Sequence, residues 1–229
     1  MNETARTVVL ERIRQALSRA YLPAASRLTP PPPSAPPFAE PLTAVFARAL
    51  AAVYGQLHPV PAADAAVAFL REAWVARGVR RVLSWEPACL ELPGLEPALA
   101  AAGIVLVPAR LVDPDRQAEL NRLDPIEVGL TAAVAGLART GSLVLEADRM
   151  RGRLASLLPP VHYAVLRAEQ LYPDLAAWLA APDVRSRWSR HSSTLIITGP
   201  SRTADIAQTL TLGAHGPREL HIVLIGPGD

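Results

Sequence analysis

The chain has 229 residues, half of them hydrophobic and 19% charged, so it can bury one sizeable core and is too short for more than two small domains. Its 23 basic residues are all arginine and its acids number 21, a net charge of +2 spread evenly over both halves, which argues against a duplex-binding surface and leaves a membrane or nucleic-acid partner unexpected. The single cysteine, Cys89, excludes an internal disulfide and an iron–sulfur cluster held by this chain's own thiolates, and the missing lysine excludes a Schiff base or a Walker lysine.

In chain order, residues 3–20 are predicted as an N-terminal helical arm (residues 1–20), with Val8, Ile13 and Leu17 near one face. Residues 21–41 contain LTPPPPSAPPFAEP, whose prolines favour extended geometry, and read as a semi-rigid linker. The remainder, 42–229, reads as one α/β domain. Alanine-rich helices are expected over 42–54 and 63–76, with the intervening LHPVPA as a loop. Six apolar runs then read as strands: 81–85, 103–107, 141–145, 162–166, 194–198 and 221–225. Continuous apolar runs suit a mainly parallel sheet flanked by helices on both faces in three layers. The longest apolar stretch, Pro97–Ala109, is too short to span a bilayer and the N-terminus has no secretory-signal pattern, so a cytoplasmic location is expected.

Three segments carry possible chemistry. TAAVAGLA after Asp124-Pro-Ile-Glu127 is expected to be a short helix capped by Thr131, followed by the turn Thr140-Gly141. LASLLPPVH over 154–162 places Ser156 and His162 around a stiff turn, read either as a plain turn or as the rim of a crevice. GPSRTAD over 199–205 follows an apolar strand and is expected to open a helix through Ile206, Ala207 and Leu210. The free N–H groups of that helix, with Arg202, would face an anion at the carboxyl end of the strand. Gly199, Ser201, Thr203 and Gly216 would then line a ligand site, with His215 approaching from GAHGP, and catalytic candidates are His215, Asp205 and Ser201. The alternative for each is a cap, a turn or a hydrogen-bonded fastener. His58, His191 and His221 have weaker claims, and no histidine spacing suggests a metal site.

Taken together, DPIEVGLTAAVAGLARTGSLVL, RLASLLPPVH and ITGPSRTADIAQTLTLGAHGPREL resemble the lactate utilization protein C, or LUD-domain, family. The resemblance implies a fold like that of the sugar-phosphate isomerase and CoA-transferase superfamily. It also implies a place in a bacterial system oxidising L-lactate to pyruvate alongside iron–sulfur partner proteins. The matching positions are Thr131, Thr140, Gly141, Ser156 to Pro159, His162, Gly199 to Thr203, Asp205 and His215 to Pro217. Where the family commonly has a glutamate before the Thr-Gly turn, this chain has Arg139. Three roles remain open: a component of lactate oxidation, a noncatalytic assembly or regulatory subunit, and a small organic-acid or phosphate-binding enzyme.

Overall fold

The computed structural model describes residues 3–20, 38–110, 115–184, 186, 190–204, 210–212 and 216–226. The chain divides into two compact units, Met1–Pro33 and Ser34–Asp229, each described by itself. The first contains helix α1 (Glu3–Arg19), and most of the proline-rich segment lies outside the described residues.

In the second unit the chain runs through α2 (Leu42–Ala52), β1 (Gln56–Val60), α3 (Ala63–Ala76), β2 (Arg81–Ser84), α4 (Leu95–Ala101), β3 (Val105–Pro108) and α5 (Arg116–Leu123). It continues through β4 (Val128–Ala132), β5 (Ala135–Leu137), β6 (Ser142–Ala147), α6 (Leu154–Leu157), β7 (Val161–Arg167), β8 (Leu171–Tyr172) and α7 (Leu175–Ala180). It closes with β9 (Ser193–Ile197), β10 (Arg202–Ala204), β11 (Leu210–Leu212) and β12 (Glu219–Ile225).

Six strands form an all-parallel sheet in the order β1-β12-β7-β4-β2-β3. Its central strands are buried along nearly their whole length because both faces are covered. Tyr163 and Val165 face α3, where Trp74 meets the Tyr163 ring edge-on at 5.7 Å. His162, Ala164 and Leu166 face the other way. There α6 packs over β4, and a second, four-stranded sheet β8-β5-β6-β9 closes the layer, Gly136 of β5 lying against Leu166. A smaller core of Ala135, Leu137, Val144, Trp178 and Val184 sits on the second sheet.

All six expected strands form, but only four join the parallel sheet; 142–147 and 193–197 pair antiparallel in the second one. The first four residues of LHPVPA belong to a strand rather than a loop: Pro59 is tolerated because β1 is the sheet's edge, where a missing N–H costs no ladder bond. The helix expected over TAAVAGLA is also replaced by strands, β4 and β5. Alanine and leucine favour helix locally, but these positions are buried in two sheets and tertiary pairing overrides that weak preference. The helix expected after GPSR is replaced at both of its described ends by the antiparallel pair β10 and β11. Threonine alternating with leucine in TLTL over 209–212 suits a strand better than a helix.

Candidate functional site

A cavity of about 360 Å³ opens at the amino ends of β7 and β12. His162, the second residue of β7, stands level with Gly129 of β4 and Leu220 of β12. Gly129 lets α6 lie directly on β4, since a Cβ there would come within 1.9 Å of the Ala155 carbonyl oxygen, and this close approach brings Ser156 to the cavity wall. The opposite wall runs from Ile196 and Ile197 at the end of β9 through Thr198 to Ser201. Gly199 turns there at φ +76°, against Val53, and the Ser201 N–H donates to the Pro217 carbonyl at 2.8 Å, which draws Gly216 and Pro217 alongside.

Among the described residues this lining has no charged side chain and mixes apolar groups such as Leu157, Ile196 and Leu220 with the hydroxyls of Ser156, Thr198 and Ser201. The His162 ring is buried, its Nε2 2.9 Å from Thr131 Oγ1. Burial, reinforced by the nearby His221, pushes its pKa down to about 3, so the ring is neutral at pH 7. Its Nδ1 is buried without a hydrogen-bond partner among the described residues. A hydroxyl chain joins the turn to the wall: Thr140 Oγ1 to Ser142 Oγ at 2.7 Å, and Ser142 Oγ to Thr198 Oγ1 at 2.8 Å. Gly141 has φ +64°, and a Cβ there would fall 2.4 Å from the Leu50 nitrogen of α2.

The structure therefore brings Ser156, His162, Gly199, Ser201 and Gly216 to one cavity, with Thr140 and Gly141 one hydroxyl chain away. Arg202 and Thr203 fall in β10 and not at a helix start, so the helix-dipole argument for anion binding does not apply to them. Asp205 and His215 lie outside the described residues. Thr131 is a buried strand residue facing His162 instead of a helix cap. The crevice sits at the amino edge of the parallel sheet, not at its carboxyl edge, because the strand leading into Gly199 belongs to the second sheet. Ser156 and His162 are not paired with each other, since Ser156 Oγ donates to the Arg153 carbonyl at 3.1 Å while the His162 ring meets Thr131. Arg139 points its charge at Asp174, 3.7 Å away, and lies over the Phe38 ring.

Two further polar clusters lie outside the expected site. On the α3 face, His58 Nε2 is 3.0 Å from His221 Nδ1, His221 Nε2 is 2.9 Å from Glu219, and Arg77 donates to Glu219 at 2.6 Å. Burial lowers the pKa of both histidines, although Glu219 partly offsets this for His221. The second cluster surrounds the buried Glu146, whose carboxylate is 3.2 Å from His191 Nε2. An acid inside the apolar run SLVLEA was the available sequence signal for it. Among the described residues no group of three His, Cys, Asp or Glu side chains could hold a metal ion, and no helix is long and apolar enough to cross a membrane.

A parallel sheet backed by helices on one face and by a second sheet and α6 on the other defines an α/β protein of the three-layer class. A crystal structure of a DUF162 family protein from Deinococcus radiodurans has the same fold, with a TM-score of 0.53 and 21% identity over 81% of this chain and 96% of that one. The LUD domain family model matches residues 43–225, and the chain belongs to that family. Lactate utilization protein C of Deinococcus radiodurans is 32% identical over 152 residues, 59% of this chain and 69% of that protein. The uncharacterized protein NMB1437 of Neisseria meningitidis serogroup B is 37% identical over 102 residues, 44% of this chain; the match spans only 43% of that relative's length.

Proposed function

We infer that the protein is the lactate utilization protein C component of a bacterial, cytoplasmic system that oxidises L-lactate to pyruvate. In this reading it binds a small organic acid in the cavity of Ser156, His162, Gly199, Ser201 and Gly216. Membership of the LUD domain family, together with the name carried by the Deinococcus relative, is the observation that carries the reading. A chain with one cysteine cannot supply the usual thiolate set of an iron–sulfur cluster, so the electrons pass through clusters on partner proteins.

Within such an assembly this chain's part is binding before proton transfer. His162 is neutral and held by Thr131, and neither Ser156 nor Ser201 is paired with it as an activated nucleophile. That arrangement favours an organising or ligand-holding subunit over a self-sufficient enzyme. Charge for an acid comes from Arg202, next in sequence to Ser201, and a titratable ring from His215, next to Gly216.

Calorimetric titration with L-lactate, pyruvate and inorganic phosphate, alone and with the cluster-bearing partners, tests the site. Arg202→Ala should weaken anion binding by roughly 10- to 150-fold, while His215→Ala should leave most of it intact. Equal affinity in the wild type and a folded Arg202→Ala variant would return Arg202 to the solvent. Growth on L-lactate of a Deinococcus radiodurans strain lacking its own lactate utilization protein C, restored by this chain, tests the physiological role.

A further inference from the structure

The opposite end of the same sheet holds a second crevice. Strand order reverses between β2 and β4: from β2 the chain moves outward to β3, and from β4 it moves the other way to β7 and β12. The gap outside the carboxyl ends of two strands that diverge in this manner is where open α/β sheets bind ligands. In this protein the gap is a cavity of about 50 Å³, with Trp85 and Cys89 following β2, Ala133 following β4, Arg167 ending β7, and Arg151 reaching in from the loop after β6. The space holds a few water molecules, or a carboxylate with one or two carbons attached.

The polar groups of this cavity are set for an anion. Arg151 is held by Asp148 at 3.3 Å, touches His191 at 3.2 Å and stands 6.0 Å over the Trp85 ring, whose own Nε1–H is engaged by the Gly152 carbonyl at 3.1 Å. Arg167 is held on one side by Glu91 alone. Its Nε lies 3.4 Å from the Glu91 carboxylate and its Nη2 donates to the Glu91 carbonyl at 3.1 Å. Glu91 adopts φ +53°, a left-handed conformation uncommon for a residue with a side chain, and this turns its carbonyl toward Arg167. The Glu91 side chain is 69% exposed. Glu91 and Arg167 also line an outer groove of about 570 Å³, so their ion pair forms the partition between groove and inner cavity. With Glu91 swung out, the charged lining of the inner cavity is two guanidinium groups.

We propose that this carboxyl-edge crevice is a second ligand site that takes a small monocarboxylate between Arg151 and Arg167, with Glu91 as the carboxylate that occupies Arg167 until a ligand displaces it. An exposed ion pair of this kind is weak enough to be exchanged, and planar guanidinium groups match a carboxylate. The site does not depend on the assignment to lactate utilization, which concerns the amino-edge cavity.

The test is titration of the ¹⁵N-labelled full chain with sodium pyruvate, against sodium chloride at equal ionic strength, following the indole N–H of Trp85 identified by Trp85→Phe. The wild type should show a saturable shift. Glu91→Gln, which removes the competitor, should bind pyruvate about two- to fivefold more tightly. Arg167→Gln should bind at least about tenfold more weakly, and Arg202→Ala, at the other end of the sheet, should match the wild type in this signal. No Trp85 shift in either the wild type or Glu91→Gln up to about 50 mM, well above a millimolar Kd, would overturn the proposal. So would unchanged or weaker affinity in Glu91→Gln, wild-type affinity in a folded Arg167→Gln variant, or loss of the Trp85 response in Arg202→Ala.

Discussion

Acidification from pH 7.5 to 5 should destabilise the protein by about 2 kcal/mol through His162 alone. The folded ring titrates at about 3 and the unfolded ring at 6.5, because folding buries it with only Thr131 as a partner. For a base whose folded pKa is depressed, the unfolded chain takes up the proton first. Stability is therefore fully present above pH 6.5 and declines as the pH falls from 6.5 toward 3, by about 1.36 kcal/mol per pH unit. The loss reaches about 2 kcal/mol at pH 5 and about 5 kcal/mol below pH 3. His58 and His221, also depressed by burial, add to the decline in the same direction. Urea denaturation at pH 7.5 and pH 5 measures the total. His162→Gln, which can still reach Thr131 but does not titrate, isolates the His162 share: the pH-dependent loss should be about 2 kcal/mol smaller in the variant. An equal loss in both proteins, or His162 ring protons that titrate near pH 6.5 in the folded wild type, would refute the reasoning.

Gly141→Ala should cost about 2–5 kcal/mol in urea denaturation, the sum of a left-handed penalty and a Cβ driven into the α2 backbone, where no rotamer change relieves it. Thr131→Val keeps shape but removes the partner of His162 Nε2 and should cost about 1–3 kcal/mol, while Thr131→Ser should stay near the wild type in the same assay. The anaerobically purified single chain should contain no stoichiometric iron or sulfide and show no cluster absorption, as one cysteine dictates.

The segments that build the amino-edge cavity were legible because their residue types are locally demanding. Gly199 and Gly141 occupy left-handed turns, and the prolines of LASLLPPVH set the turn that delivers Ser156 and His162. The location of the cavity was not legible. Whether Gly199 follows a strand of the parallel sheet depends on pairing between β9 and β6, a contact over about fifty residues that no local pattern encodes. Alanine content misled at 131–138, where helix preference per residue is small and burial in two sheets decides the outcome. Ser142 reads as part of an apolar strand, although its hydroxyl is the link between Thr140 and Thr198. Glu91 carries no sequence signal of its own, since its conformation comes from the loop between β2 and α4.

The position of β12 governs when this protein can fold. β12 is an interior strand of the sheet, with β1 on one side and β7 on the other, and among the described residues β1 forms sheet hydrogen bonds with β12 alone. During synthesis β1 emerges early and waits, unpaired, for a partner more than 160 residues away, as the contact between His58 and His221 marks. Until Ile225 has left the ribosome, β7 exposes an open apolar edge of the kind that attracts other chains. The sheet therefore closes only after translation has passed β12, and nascent chains truncated before Glu219 are the species expected to aggregate or to occupy chaperones.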